Sequence, residues 1–237
     1  MVESKERPER ADSEDEYKYA LVMECGAASL WHELGTQRIA GHSIDSIVHT
    51  IFAPVVCCVQ KLHCHGLVHA DLKPRNILRA RDHEHTVVLC DLDAALLIGQ
   101  ARTKAFKCST GYCAPEFACF YFDAANVQAP VMTSAYDVWS LGVLLFELCT
   151  GQHLFSQDIS DDNLVNEIDK NILCTWHTIP DEMLGLIFSQ LPPRSQIVED
   201  AKDLIRWCLK GQPEDRPTTQ EILDHPFLNA ERPSKAL

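Results

Sequence analysis

The sequence predicts an α+β fold that is mainly α-helical and contains one small β-hairpin. Apolar residues over 44–63 recur at helical spacing, which indicates a helix with a broad buried face. A second helix, predicted over 133–149, is apolar nearly all round, as expected at the centre of a domain. Two short apolar runs, 77–78 and 86–89, flank the polar stretch 81–85, and this arrangement is typical of a hairpin.

The N-terminal residues differ in character from the rest of the chain. Residues 1–16 are dominated by charged side chains and contain no apolar core, so we expect a disordered tail there. One domain over 17–230 and a short tail over 231–237 complete the predicted organisation. Inside the domain, residues 17–24 predict a short strand, and residues 29–31 predict the start of a short helix.

Capping and breaking residues predict the remaining elements. A loop covers residues 69–76 and precedes the hairpin. Thr133 and Ser134 are placed to cap the central helix, which runs through Cys149, and Gly151 stands where a helix should stop. Prolines and glycines separate the further predicted helices, which cover 161–171, 197–209 and 217–224.

Composition excludes several classes of function. The formal net charge of −13 argues against a nucleic-acid partner, which would need a basic surface. The apolar runs are too short for a membrane span, and Glu147 interrupts the best of them. The eleven cysteines include no Cys-x-x-Cys pair and predict reduced intracellular thiols. With no secretory signal visible, we expect a cytoplasmic or nuclear protein.

The loop over 69–76 carries the groups that suggest chemistry. Asp71, Lys73 and Asn76 supply an acid, a base and an amide within six residues. If the hairpin returns the chain beside Asn76, Asp91 joins them in one small volume. Two carboxylates, an ammonium and an amide suit phosphoryl transfer, which depends on positioning and on cations. Carboxylate oxygens also suit Mg²⁺.

These residues lie in a segment that resembles the protein-kinase catalytic loop, His-Arg-Asp-Leu-Lys-Pro-x-Asn, with one substitution. Further motifs of the eukaryotic-type protein kinases follow in the family's order, and the resemblance covers roughly residues 19–228. It implies the hinge and the helical C-terminal lobe of a serine/threonine kinase. The matching segments are Asp91-Leu92-Asp93 in place of Asp-Phe-Gly, Ala114-Pro115-Glu116, the run 137–142, Arg216-Pro217 and His225-Pro226-Phe227.

The resemblance implies a role for each position of the site. Asp71 would accept or orient the proton of the substrate hydroxyl, and Lys73 would contact the γ-phosphate of ATP. Asn76 and Asp91 would bind Mg²⁺. Ser109 stands where the family has a threonine that hydrogen-bonds the base and the lysine.

The same resemblance implies an adenine site at the hinge. Glu24 and Gly26 would offer backbone groups to the adenine, Met23 would be the gatekeeper, and Leu78 would pack beneath the ring. ATP and Mg²⁺ are therefore the expected cofactors, and a protein is the expected substrate.

Other conspicuous residues favour structural roles. His69 is expected to anchor the loop, and Asp137 to bond its backbone amides. Glu116 and Arg216 are expected to form a buried ion pair. The histidines near residues 63–65 and 83–85 suggest a metal site, but both sets lack further ligands at useful spacing. The apolar run 117–122 is expected either to pack on the lobe or to form a contact surface.

Three departures from the family pattern affect the functional prediction. No glycine-rich loop, strand lysine or partner glutamate is found, so the N-terminal lobe is expected to be absent or truncated. Ala70 replaces an arginine that in the family pairs with a phosphorylated residue, which leaves Thr103 less influence on the site. Asp93 replaces a glycine, whose backbone angles an aspartate adopts only at some cost.

Two functions remain open on these grounds. The first is a partial kinase catalytic domain that transfers phosphate from ATP to protein Ser/Thr, with weak ATP binding and little turnover as an isolated chain. The alternative is a pseudokinase-like, non-catalytic scaffold or interaction module. In either case a protein partner is expected to cover the exposed surface that would face an N-terminal lobe.

Overall fold

The computed structural model describes residues 26, 28–37, 48–80, 87–104, 108–123, 127–188 and 196–229. The predicted strand over 17–24 and both predicted tails lie outside these residues. The described part is mostly helical, as predicted. Its α-helices are α1 (Leu30–Gln37), α2 (Ala53–Cys64), α3 (Pro115–Phe122), α4 (Ala135–Thr150), α5 (Glu167–Cys174), α6 (Asp181–Phe188), α7 (Gln196–Cys208), α8 (Thr219–Asp224) and α9 (Pro226–Asn229).

Within the described residues, four short strands form two antiparallel pairs. The predicted hairpin consists of β2 (Ile77–Arg79) and β3 (Val87–Leu89), with Ile77 opposite Leu89. The second pair joins β1 (Leu67–Val68) to β4 (Leu96–Leu97). The loop that contains Asp71 runs from β1 to β2, so both of its ends are held by strand pairing.

Helix α4 forms the centre of the core. Each of its residues from Tyr136 to Cys149 is buried, which confirms the prediction from its apolar circumference. It packs against α7, where a Cβ on Gly142 would lie 2.8 Å from the Cβ of Cys208. Gly151 ends the helix with φ 68°. Ser134 precedes it, but its side chain makes no capping hydrogen bond.

Several predicted boundaries were wrong. The helix predicted over 161–171 spans Glu167–Cys174, because Asn166 caps it by accepting a 2.7 Å hydrogen bond from the amide of Asp169. In the segment 44–63, a π-helical turn over Val48–Phe52 precedes α2. Helices α3 and α6 were not predicted. Helix α3 shows that the apolar run 117–122 packs on the core, with Phe117 and Ala118 fully buried.

Two findings concern the cysteines and the lengths of the helices. Every cysteine in the described part of the chain is a free thiol. Within that same part, none of the helices has the length and apolar character needed to cross a bilayer.

Candidate active site

Asp137, in the first turn of α4, holds the loop that contains the predicted base. Its carboxylate is fully buried. Its Oδ2 accepts a 2.8 Å hydrogen bond from the amide of His69, and its Oδ1 accepts one of 2.9 Å from the amide of Ala70. The Nε2 of His63 lies 2.9 Å from the same Oδ2. The predicted structural role of Asp137 is confirmed, and His63 serves this network.

His69 anchors the loop to the end of the hairpin, as predicted. The side chain is buried, and its Nε2 lies 3.2 Å from the carbonyl oxygen of Cys90. Its Nδ1 accepts a 3.4 Å hydrogen bond from the amide of Asp71. The imidazole therefore connects the base to the residue that precedes Asp91.

Four predicted site residues come together around the Asp71 carboxylate. Asn76 Nδ2 donates to the carbonyl oxygen of Asp71 at 2.8 Å and to its Oδ2 at 3.1 Å. The amide of Ser109 donates to Asp71 Oδ1 at 3.3 Å. Lys73 Nζ lies 3.5 Å from Asp71 Oδ2 and donates to Ser109 Oγ at 2.5 Å. The arrangement holds a carboxylate and an ammonium side by side in fixed orientations.

Asp91 lies next to this cluster along the backbone. The amide of Cys90 donates a 3.0 Å hydrogen bond to the carbonyl oxygen of Asn76, so Asp91 directly follows a residue paired with Asn76. Its side chain is exposed, and its φ is 62°. The φ angle of Asp93, in contrast, is not positive. The free-energy cost of a left-handed backbone, which we expected at Asp93, therefore applies to Asp91.

The donor set suits a hard cation that shares its ligands with phosphate. No group of three or more His, Cys, Asp or Glu side chains in the described ranges is arranged to hold a metal ion. Asn76 and Asp91 offer amide and carboxylate oxygens, and Mg²⁺ commonly takes one or two protein oxygens with phosphates and water. Asn76 and Asp91 therefore supply ligand types that Mg²⁺ takes when it binds together with nucleotide phosphates.

The predicted adenine site is described only in part. Met23 and Glu24 lie outside the described residues. Gly26 packs against Leu78, because a Cβ on Gly26 would lie 3.0 Å from the Cβ of Leu78. The amide of Arg79 donates to the carbonyl oxygen of Ala28 at 2.9 Å. The two predicted residues that can be placed are therefore adjacent.

A second carboxylate reaches Lys73, and sequence reasoning missed it. Asp162 is buried, and its Oδ2 lies 3.4 Å from Lys73 Nζ. Arg75 Nε donates to both carboxylate oxygens of Asp162, at 3.2 and 3.0 Å, and Arg75 Nη2 donates to the carbonyl oxygen of Ile159. The helix predicted over 161–171 includes Asp162, whereas the observed helix begins at Glu167, and the acidic run 158–163 carries no local pattern that indicates a contact with Lys73.

The loop around Asp162 is docked on the segment that contains Ser109. The amide of Gly111 donates to the carbonyl oxygen of Asp162 at 3.0 Å. Asn163 Oδ1 accepts hydrogen bonds from both the amide and the hydroxyl of Thr110, at 3.0 and 3.1 Å. This docking keeps Asp162 beside Lys73, whose ammonium group thus contacts the carboxylates of Asp71 and Asp162 and the hydroxyl of Ser109.

Arg102 is a second residue that sequence reasoning missed. Its side chain is fully buried, and Nη1 donates a 2.7 Å hydrogen bond to the carbonyl oxygen of Ala70. Ala70 has φ 64°, a conformation that costs an L-residue about 1–2 kcal/mol. Burial by itself would lower the pKa of the Arg102 guanidinium, but nearby acidic groups raise it. These groups are Tyr136, Cys108, Cys113 and Asp71.

The chain is similar to several characterised kinases. It is 31% identical over 217 residues to calcium-dependent protein kinase 19 of Arabidopsis thaliana, covering 91% of this chain and 35% of the relative. It is 33% identical over 178 residues to serine/threonine-protein kinase GIN4 of Saccharomyces cerevisiae, covering 75% and 13%. Calcium/calmodulin-dependent protein kinase type I of Schizosaccharomyces pombe is 31% identical over 180 residues, covering 74% and 47%. The chain thus spans less than half the length of these relatives.

A family model described as the protein kinase domain matches residues 11–228. The match begins ahead of the predicted hinge, so the expected absence of an N-terminal lobe is not confirmed. It includes the loop with Asp71, the hairpin, the central helix and the Glu116–Arg216 pair. The chain therefore belongs to the protein kinase domain family.

Proposed function

We propose that this chain transfers the γ-phosphoryl group of ATP to serine or threonine hydroxyls of a protein substrate. The observation that carries the proposal is the hydrogen-bonded cluster of Asp71, Lys73, Asn76 and Ser109. The serine/threonine preference is supported by Lys73, by Ser109 and by the printed names of the relatives.

In this mechanism Asp71 accepts the proton of the substrate hydroxyl. Asn76 and Ser109 donate to different oxygens of its carboxylate, so the side chain is aimed before the substrate arrives. Lys73 lies beside it and balances the negative charge that develops on the transferred phosphoryl group. Asn76 and Asp91 would hold Mg²⁺, which would supply positive charge to neutralise the nucleotide phosphates.

The accessibility of the cluster suits this role. The side chains of Asp71 and Lys73 are 12% and 13% exposed. They are therefore shielded enough to strengthen electrostatic interactions, yet they remain open to a substrate hydroxyl. Positioning and electrostatics are the main protein contributions to phosphoryl transfer.

The test is transfer of labelled phosphate from Mg-ATP to serine- and threonine-containing proteins. The assay uses a high concentration of the chain, so that slow turnover is measurable. Asp71→Asn removes the proton acceptor while keeping the size of the side chain, and we expect a loss of about 100-fold or more. Glu182→Gln, an exposed position on α6, is the matched control and should leave transfer unchanged.

A non-catalytic scaffold is the second candidate function. Asp162 favours it, because its carboxylate lies 3.4 Å from the Lys73 ammonium and competes with phosphate for that cation. Absence of transfer by the wild-type chain, or equal transfer by Asp71→Asn, would support the scaffold and contradict the enzyme proposal.

A further inference from the structure

Ala70, the residue directly before the proposed base Asp71, has a strained backbone that other residues must hold in place. It is buried and has φ 64°, a conformation that an alanine holds only when its surroundings over-determine it. Its peptide N–H is held by Asp137 Oδ1 at 2.9 Å. Its carbonyl oxygen belongs to the planar peptide group that continues into Asp71. Whatever holds that carbonyl therefore also orients the backbone of Asp71.

Arg102 is the residue that holds the carbonyl. Its Nη1 donates to the oxygen of Ala70 at 2.7 Å. The guanidinium lies 4.4 Å from the centre of the Phe117 ring and 5.2 Å from that of Tyr136. A desolvated cation between aromatic faces is held strongly in place. The two rings belong to α3 and α4, so both helices contribute to placing the donor.

The backbone of Arg102 is fixed as well. The segment 99–102 pairs with residues 130–132 just before α4. The amide of Gly99 donates to the carbonyl oxygen of Met132 at 2.9 Å, and that of Arg102 donates to the carbonyl oxygen of Pro130 at 3.1 Å. The paired segment thus brings Arg102 to Ala70 from 32 residues further along the chain.

We propose that Arg102 is a positioning residue that orients Asp71 by fixing the peptide group between Ala70 and Asp71. The proposal deepens the proposed phosphoryl transfer and rests on it. Asn76 and Ser109 hold the carboxylate of Asp71, while Arg102 and Asp137 hold the backbone that carries it. The position of segment 99–102 therefore affects the orientation of the Asp71 side chain.

The test compares Arg102→Met and Arg102→Lys with the wild-type chain. Methionine fills similar space between the two rings but cannot donate, whereas lysine keeps a charged donor. We expect Arg102→Met to lower kcat by about 10- to 100-fold with little change in the KM for protein substrate. Arg102→Lys should recover part of the loss. Arg206→Met, at an exposed ion pair with Asp181, is the matched control.

Amide hydrogen exchange supplies a readout that does not depend on activity. We expect faster exchange at residues 69–76 in Arg102→Met, with no change in α7. The two measurements test different proposals. Absence of Asp71-dependent transfer in the wild-type chain would contradict the proposed phosphoryl transfer. Hydrogen exchange in Arg102→Met would still show whether Arg102 positions the loop over 69–76.

Several outcomes would overturn the positioning role. One is a folded Arg102→Met chain with wild-type kcat and wild-type exchange over 69–76. Another is an exchange increase spread uniformly over the whole chain, which indicates general destabilisation. If Arg102→Met does not fold, Arg102→Lys decides: lower kcat with faster exchange confined to residues 69–76 supports the proposal, whereas wild-type kcat with faster exchange over the whole chain assigns Arg102 to folding alone.

Discussion

At the scale of single residues, backbone strain is concentrated at the proposed site. Ala70, Asp91 and Asp162 are the non-glycine residues with positive φ in the described part of the chain. Such conformations cost free energy and persist where surrounding contacts enforce them. The backbone of Ala70 is held by Asp137 and Arg102, and that of Asp162 is held by hydrogen bonds with the carbonyl oxygen of Asp158 and the amide of Gly111. Strain and proposed chemistry therefore coincide.

The contact between Glu147 and His153 predicts a pH dependence of stability. Burial raises the pKa of the Glu147 carboxyl, and its hydrogen bond to His153, 2.7 Å long, raises the pKa of His153. His153 therefore holds its proton more tightly in the folded chain than in the unfolded chain, where its pKa is about 6.5. Its contribution to stability is complete below that pKa and is lost as pH rises through the folded pKa.

We expect the urea midpoint of the wild-type chain to fall as pH rises above about 6.5, the pKa of His153 in the unfolded chain. His153→Gln should reduce this fall, because the glutamine does not titrate. His177→Gln, at an exposed position, should leave the fall as it is. An equal fall in the wild-type chain and in His153→Gln would contradict the prediction.

At the scale of elements, two glycines have opposite effects on their helices. Gly151 ends α4 in the left-handed region, with φ 68°, where a Cβ is unfavourable. Gly185 lies within α6 and has open space around its missing Cβ. A glycine inside a helix costs about 1 kcal/mol relative to alanine.

Gly151→Ala should therefore destabilise the chain by about 1 kcal/mol, and Gly185→Ala should stabilise it by about 0.5–1 kcal/mol. Chemical denaturation of both variants against the wild-type chain measures the difference. No destabilisation in Gly151→Ala would contradict the role of the left-handed helix end, and a loss of stability in Gly185→Ala would contradict the helix-propensity argument.

At the scale of the whole molecule, Arg216 connects parts of the chain that are far apart in sequence. Its guanidinium donates to both carboxylate oxygens of Glu116, at 2.9 and 2.7 Å, which confirms the predicted ion pair. It also donates to the carbonyl oxygens of Ala135, Lys210 and Gly211. The start of α3, the start of α4 and the segment after α7 therefore meet at one buried cation.

Arg216→Met should lower the free energy of unfolding by about 3–5 kcal/mol, because it leaves Glu116 and three carbonyl oxygens without their donor. Arg206→Met removes a surface pair with Asp181, which is 79% exposed, and should cost at most about 1 kcal/mol. Urea titration of both variants provides the comparison. If both variants lost a similar free energy of unfolding, burial would not explain the contribution of Arg216.

The net charge of the whole chain supports one further prediction. At −13, the chain should repel the phosphate backbone. Fluorescence anisotropy with labelled duplex DNA at physiological salt should show no binding. Salt-sensitive binding in the micromolar range would show a basic patch that the net charge conceals.

The sequence by itself determined the helical character, the hairpin, the central helix and the loop with Asp71, Lys73 and Asn76. Periodicity, glycine stops and short motifs are local properties, so they can be recognised without knowing what packs where. Only the tertiary structure decided that Asp162 contacts Lys73 and that Arg102 supports Ala70. Those contacts depend on how distant segments dock on the core, and neither an acidic loop nor a single arginine carries a local pattern that specifies its partner.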